Sequence, residues 1–309
     1  MKIKQIFKQN HHNLYNGVWY LKEGLKKSFL ANRFIYKRLW NGLTMYSHKP
    51  LIFEIHGADH CNLNCSGCTH YSPLAKEEFC DPVKLRESLT YLKKFASHFS
   101  MINILGGEPL LNPGIAEIFE IIRENFPHNR INVVSNGILL TKPDKLPVGF
   151  WEAVNKFNIV IRVTQYPIGV DYHKIEEDCK LHKVKFEITK DCRDTEKWRN
   201  GSLDCNRHNK TKSLKFTRLG HCYLHDNIQL VGDRLYPCAQ IAYVRHLNNT
   251  FGKHFKVTDK DCLDVRMIRN FWQIRKLALL GTPFCEYCRG EKKNKSWSKS
   301  SYSQSEWLK

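Results

Sequence analysis

The sequence predicts an α/β fold built on a parallel sheet with right-handed crossovers. From residue 50 onward, short apolar runs alternate with segments of helical periodicity, and strands separated by helices imply parallel pairing. Polar and glycine-rich stretches follow the C-terminal ends of several runs. That is where parallel α/β folds build their sites.

The elements follow in order. Leu51–Ile55 is a short apolar run leading into a cysteine cluster. Pro82–Phe99 reads as a helix with Leu85, Leu89, Leu92 and Phe95 on one side. Met101–Leu105 is a strand that stops at Gly106-Gly107, and Pro113–Phe126 is helical through Ile115, Ile118, Ile121 and Ile122. Ile131–Val134 is a strand ending at Ser135-Asn136-Gly137; Asn158–Thr164 and Val184–Thr189 are two more. Asp191–Thr211 is polar and irregular, reading as a linker or a loop over the site. Ile228–Tyr236 reads as a hairpin turning at Gly232-Asp233, and Asp264–Leu280 as a helix. The tail from Glu291 to Ser305 is rich in Lys and Ser, with little reason to fold by itself.

Composition narrows the function classes. The chain has 309 residues, a formal charge of +19 and twelve cysteines. No stretch approaches the roughly 20 apolar residues of a membrane span, and the N-terminus lacks the apolar core of a secretory signal. A cytoplasmic location is expected, where clustered cysteines bind metal or do redox chemistry rather than pair. The basic excess suits polyanions such as nucleic acid, an anionic membrane or a phosphorylated substrate, or simply maintains solubility. Ten Lys and Arg face one acid, Glu23, in the first fifty residues. Within them, residues 13–40 place Leu14, Val18, Leu21, Leu25 and Phe29 on one helix face. Such a helix packs on a domain behind it or touches a membrane surface peripherally.

Cys61, Cys65 and Cys68 stand in CNLNCSGC, a C-x3-C-x2-C spacing directly after a strand. Three thiolates on one short loop suit a cubane cluster whose fourth iron stays open to a small molecule. With His60 or His70 as a fourth ligand, the same residues also suit zinc. Gly106, Gly107 and Glu108 end the next strand: glycines permit close backbone approach, and a carboxylate accepts from an ammonium.

Together CNLNCSGC and GGEP resemble the radical S-adenosylmethionine (SAM) superfamily, over about residues 50–290. The resemblance implies a partial (β/α)6 radical SAM barrel with a small C-terminal auxiliary iron–sulfur cluster domain. It implies that Cys61, Cys65 and Cys68 hold a catalytic [4Fe–4S] cluster and that SAM binds the open iron. Reductive cleavage then yields a 5′-deoxyadenosyl radical that abstracts a substrate hydrogen. Gly106, Gly107 and Glu108 match the motif receiving the methionine amino group, and Ser135 and Asn136 resemble a polar strand tip that contacts the cofactor. Arg162 and Thr164 share one face of their strand. If that face points inward, Arg162 holds the cofactor carboxylate or an acidic substrate; otherwise it is a partly buried structural residue. One departure is Gly67, where many members have an aromatic residue near adenine; Tyr71 and His70 are the nearest substitutes.

Cys222, Cys238, Cys285 and Cys288 resemble the twitch form of the SPASM auxiliary-cluster domain, which implies a second [4Fe–4S] cluster. Four thiolates also suit zinc. Of Cys80, Cys179, Cys192, Cys205 and Cys262, the usual reading is buried and inert. Cys205, in the linker, is the candidate hydrogen donor of an epimerase. The expected organisation is therefore a basic extension over 1–49, the barrel over 50–200, the auxiliary domain over 201–290 and a polar tail over 291–309.

The expected function is radical oxidation or epimerisation of a polar sugar- or cyclitol-type substrate, free or carrier-linked and possibly phosphorylated. A flavodoxin- or ferredoxin-type reductant would supply electrons. One alternative is maturation of a ribosomal peptide. Another, of a different class, is a zinc-stapled basic nucleic-acid-binding protein, which explains neither GGEP nor the strand–helix alternation.

Overall fold

The computed structural model describes residues 50–189, 198–200, 203–204, 222, 226–288, 293–295 and 297–308. The basic helix expected over 13–40 lies outside the described residues, as do most of the 191–211 linker and Cys205. Residues 49–309 form one compact unit.

Its backbone is an eight-stranded sheet. Strands β1 (Leu51–Ala58), β2 (Phe99–Gly106), β3 (Ile131–Ser135), β4 (Ile159–Thr164) and β5 (Phe186–Thr189) run parallel in the order β5-β4-β3-β2-β1. Helices α1 (Pro82–Leu92), α2 (Ile115–Asn125), α3 (Phe150–Lys156) and α4 (Tyr172–Leu181) cross between them, as the alternation predicts. Asp81 starts α1 by accepting from the Val83 and Lys84 amides, with Pro82 in the first turn. The helix is shorter than expected: Lys93–His98 tightens into a 3-10 turn and Phe99 already belongs to β2.

On the far side of β1 the hairpin takes an unexpected place. Strand β7 (Asn227–Val231) pairs parallel with β1, and β8 (Arg234–Tyr236) folds back antiparallel at Gly232, followed by the two-residue β9 (Leu263–Asp264). The hairpin thus extends the sheet of residues 51–189. Helices α5 (Ala239–Ala242) and α6 (Val244–Phe251) follow it, and α7 (Phe271–Leu279) starts on an Asn270–Gln273 capping box. Asp264–Leu280 is therefore not one helix, because β9 and a 3-10 turn occupy its first part. The backbone of β6 (Trp198–Asn200) pairs antiparallel with β10 (Lys293–Lys295).

Two cores hold these elements. In the first, Phe53, Ile55, Ile102, Ile104, Ile131, Val133, Ile161 and Val163 point from the sheet to Leu85, Leu89, Ile118 and Ile122 of the helices. Because side chains alternate along a strand, the neighbours of those residues face the other way, into the partial barrel. That inner face is polar. Glu54 accepts from Asn227 at 2.9 Å and from Gln229, Asn132 donates to Asn103 at 2.8 Å, and Arg130 donates to Asn132 at 2.9 Å and pairs with Glu187. The second core joins Tyr71 and Leu203 to Cys238, Tyr243, Phe284, Trp307 and Leu308.

Burial pushes the Glu54 carboxyl up to about 7, against the donors from Gln229, Asn227 and Asn103. A carboxyl raised above its unfolded value stabilises the fold only while protonated, so its contribution declines as pH climbs from about 4.5 through 7. Between pH 5 and 8, wild type should lose roughly 2–3 kcal/mol relative to Glu54→Gln. Parallel urea titrations at the two pH values check this. A constant difference would mean that Glu54 is already ionised at pH 5.

Candidate active site

The cysteine loop leaves the C-terminal end of β1 and is stitched to the tip of β2. The Gly107 amide donates to the Ala58 carbonyl at 2.8 Å and the Glu108 amide to the His60 carbonyl at 3.0 Å. The approach is so close that a Cβ on Gly107 would lie 1.9 Å from the His60 carbonyl oxygen. Gly106 adopts φ +131°, which few L side chains tolerate. Both glycines are thus required by backbone contact with the segment leading into Cys61.

Glu108 is fully buried. One oxygen accepts from the Leu110 amide at 3.2 Å and the other from the Asn136 amide at 2.9 Å, so the carboxylate ties β2 to β3. Burial pushes its pKa up to about 7, against hydrogen bonds from Asn136, Ser135 and Leu110. Each carboxylate oxygen can accept more than one donor. Ser135 and Asn136 lie beside it: Ser135 Oγ accepts from the Gly137 amide at 3.0 Å, and Asn136 Nδ2 donates to Asn62 at 2.7 Å and to Cys61 Sγ at 3.8 Å. The three strand tips picked out in the sequence therefore meet at the first cysteine.

Two of the three loop thiols accept N–H hydrogen bonds. Cys61 Sγ accepts from the Leu63 amide at 3.4 Å, and Cys65 Sγ from the Trp297 indole at 3.1 Å. The amides of Ser72, His70 and Tyr71 face Cys68. Burial pushes the Cys61 thiol up to about 12 and raises that of Cys68. The fold thus holds sulfurs in surroundings that protonate them unless a cation takes the charge.

Arg162 and Thr164 lie half-buried on the inner face of β4. Arg162 Nε donates to Thr189 Oγ1 at 3.0 Å, and among the described residues it makes no ion pair. Tyr71 does not face the cavity as an aromatic partner for a cofactor. It is fully buried in the second core, reached through a left-handed turn at φ 56°. His70 instead packs beside His56, ring centroids 5.0 Å apart, and burial pushes its pKa down to about 3.

Sequence reading missed the cluster behind this loop. Asp59 accepts from His56 at 3.0 Å, from His246 at 2.9 Å and from Arg245 at 2.6 Å, while His56 stacks on Tyr243 at 3.6 Å. Burial works to raise the Asp59 pKa, but hydrogen bonds from His246 and His56 hold it well below the usual carboxylate range. The only available signal was the polar sequence HGADH after an apolar strand.

The second cysteine set is brought together in part. Cys238 caps α5 and is buried in the second core, where Tyr287 and Cys288 pack against it. Cys288 bonds Gln240 at 3.7 Å, and Cys285 accepts from the Thr282 amide at 3.4 Å. Cys222 is half-buried, and the residues on either side of it lie outside the described set. Cys80, Cys179 and Cys262 are free thiols, the last two buried.

No helix among the described residues is long and apolar enough to cross a membrane. Several known proteins are similar to this chain. GTP 3′,8-cyclase of Alkaliphilus oremlandii is 29% identical over 99 residues, which is 32% of this chain and 31% of that protein. The chain thus spans under a third of the length of that curated relative. The crystal structure of BtrN in complex with AdoMet and 2-DOIA aligns with TM-score 0.48 at 15% identity, covering 80% of this chain and 98% of BtrN. Streptococcus suis SuiB bound to precursor peptide SuiA aligns with TM-score 0.37 at 15% identity, covering 85% of this chain and 79% of SuiB. The family model for the Radical SAM superfamily matches residues 55–184, from the last half of β1 through α4. Residues 55–184, which carry the cysteine loop, the glycine turn and the tip of β3, are thus similar to the Radical SAM superfamily.

Proposed function

We propose that Cys61, Cys65 and Cys68 hold the catalytic cluster and that SAM binds across the tips of β1, β2 and β3. The observation that carries this reading is the placement of N–H donors at the Cys61 and Cys65 sulfurs, beside the Gly106–Gly107–Glu108 turn. When bound, the cluster supplies the electron that cleaves SAM.

The remaining groups are contributed by the protein. Glu108 and the carbonyl-lined turn at Gly106–Gly107 offer acceptors for the methionine ammonium. Asn136 and Ser135 offer polar contacts beside Cys61, and Arg162 offers a cation from β4 to a carboxylate or phosphate. The polar inner face, with Asn103, Asn132 and Arg162, supports a polar substrate of sugar or cyclitol type, oxidised or epimerised at carbon. A second cluster on Cys222, Cys238, Cys285 and Cys288 would take an electron from the substrate radical and favour oxidation. Cys238 lies in the second core and Cys288 packs against that core, which supports that set. Cys205 is the candidate donor if the outcome is epimerisation.

The test is anaerobic reconstitution with iron and sulfide counting. About eight irons per chain are expected, falling to about four in Cys285→Ala/Cys288→Ala. Four irons in both proteins would remove the second cluster from the proposal and leave the first. Deuterium passing from a labelled cyclitol into 5′-deoxyadenosine would identify the abstracted hydrogen. Transfer from a peptide alone would favour the peptide-maturation reading.

A further inference from the structure

The C-terminal segment expected to be a loose polar tail is built onto the first cysteine loop. The Ser66 amide donates to the Ser298 carbonyl at 2.9 Å and the Ser300 amide to the Asn64 carbonyl at 2.8 Å. These two bonds flank Cys65, which bridges antiparallel to Lys299. Trp307, fully buried, donates its indole N–H to the Cys68 carbonyl at 3.0 Å. Its own carbonyl accepts from the Leu203 amide at 2.9 Å, and Leu203 bridges to Cys288. Residues 297–308 therefore contact the loop on both sides of the second cysteine and connect it to the C-x2-C pair.

Within this clasp, Trp297 has a more particular placement. Its indole N–H, a donor with no acceptor capacity, lies 3.1 Å from Cys65 Sγ although the residues are 232 positions apart. The ring also lies 6.0 Å from that of Tyr166, just beyond β4. We infer that Trp297 is a positioning residue for the Cys65 thiolate and favours the reduced state of the cluster that Cys65 binds. This rests on the reading of Cys65 as a cluster ligand. Reduction adds negative charge that spreads onto the thiolate sulfurs, and a hydrogen bond strengthens as its acceptor becomes more negative. Hydrogen bonds to sulfur and solvent exposure are among the features that set cluster potentials. The clasp supplies the bond; covering Cys65, which is 7% exposed, works in the opposite sense by excluding water, so the bond alone favours the reduced state.

The test compares wild type with Trp297→Phe, which keeps the ring plane and removes the N–H. Both are reconstituted without oxygen, counted for iron and titrated with dithionite while the reduced cluster is followed by EPR. The first cluster is identified by its spectral change on adding SAM. At a fixed solution potential, the reduced-to-oxidised ratio should fall about five- to ten-fold in the variant, because the ratio reads only the part of the bond's strength that differs between the two redox states. A second measurement needs no variant: wild type labelled with 15N at the tryptophan indole should show 15N hyperfine coupling in the reduced cluster's spectrum. An unchanged ratio at full iron content, or no 15N coupling, would overturn the inference. Should Trp297→Phe fail to fold, the 15N spectrum decides. Wild type that binds no iron would instead refute the cluster reading itself, and the inference with it.

Discussion

Replacing Gly107 by alanine is expected to lower SAM cleavage by about 100-fold or more, with iron content falling alongside. A Cβ there would meet the His60 carbonyl oxygen at 1.9 Å, its carbon at 2.3 Å and the Asp59 carbonyl oxygen at 2.8 Å. All three atoms are backbone, so no rotamer change relieves the contact; the entry to the cysteine loop must move. A shift of about 1 Å at a reacting centre is worth roughly 100-fold in rate. The loop also carries the ligand thiols, so assembly should suffer as well. Gly149→Ala is the control. Gly149 also has positive φ, at +70°, but nothing lies within 4 Å of its added Cβ. It should cost about 1 kcal/mol of stability and leave cleavage near wild type. Iron content and 5′-deoxyadenosine yield in the two variants check the contrast. Equal behaviour would mean that the glycine turn does not support the loop.

Truncating Trp307 to alanine should cost about 3–5 kcal/mol, the range for emptying a buried aromatic site. Trp307 is 0% exposed and lies near Phe251, with ring centroids 6.1 Å apart, in the second core shared with Tyr71 and Tyr243. The indole bond to the Cys68 carbonyl would be lost too, leaving that acceptor the Tyr71 amide at 3.0 Å among the described residues. The expected result is a lower urea midpoint and faster protease cleavage within 297–308. Trp307→Phe should restore most of the stability, because the ring volume matters more than one N–H. A Trp307→Ala protein as stable and protease-resistant as wild type would mean that the clasp is not held by this residue.

These effects show what was legible in the sequence. The parallel sheet was, because apolar runs at β1 through β5 are spaced by helical periodicity with clear starts such as Asp81-Pro82. The glycine turn was legible too, since GGEP directly follows a strand. The polar inner face left a signal that the sequence reading used only at VIRVT: IFEIH, MINIL and INVVS likewise carry a polar residue amid apolar ones. In a sheet buried on one face, those positions point away from the helices. The place of the hairpin beside β1 was not legible, because strand order depends on pairing between residues 175 positions apart, such as Ile52 and Asn227, rather than on local pattern. Nor was the clasp. Its Lys- and Ser-rich composition argues against independent folding, and it gains order from long-range contacts, among them backbone pairing with Asn64 and Ser66 and the pocket around Trp307.

The central claim, that Cys61, Cys65 and Cys68 build a SAM-cleaving cluster, is tested most directly by one assay. Reconstituted wild type and Cys65→Ala are incubated anaerobically with SAM and dithionite, and 5′-deoxyadenosine and methionine are quantified. The account predicts equimolar products from wild type and a loss of at least about 1000-fold in the variant, with the C-x2-C pair untouched. Equal product from both proteins, or zinc without iron and no cleavage from wild type, would contradict it.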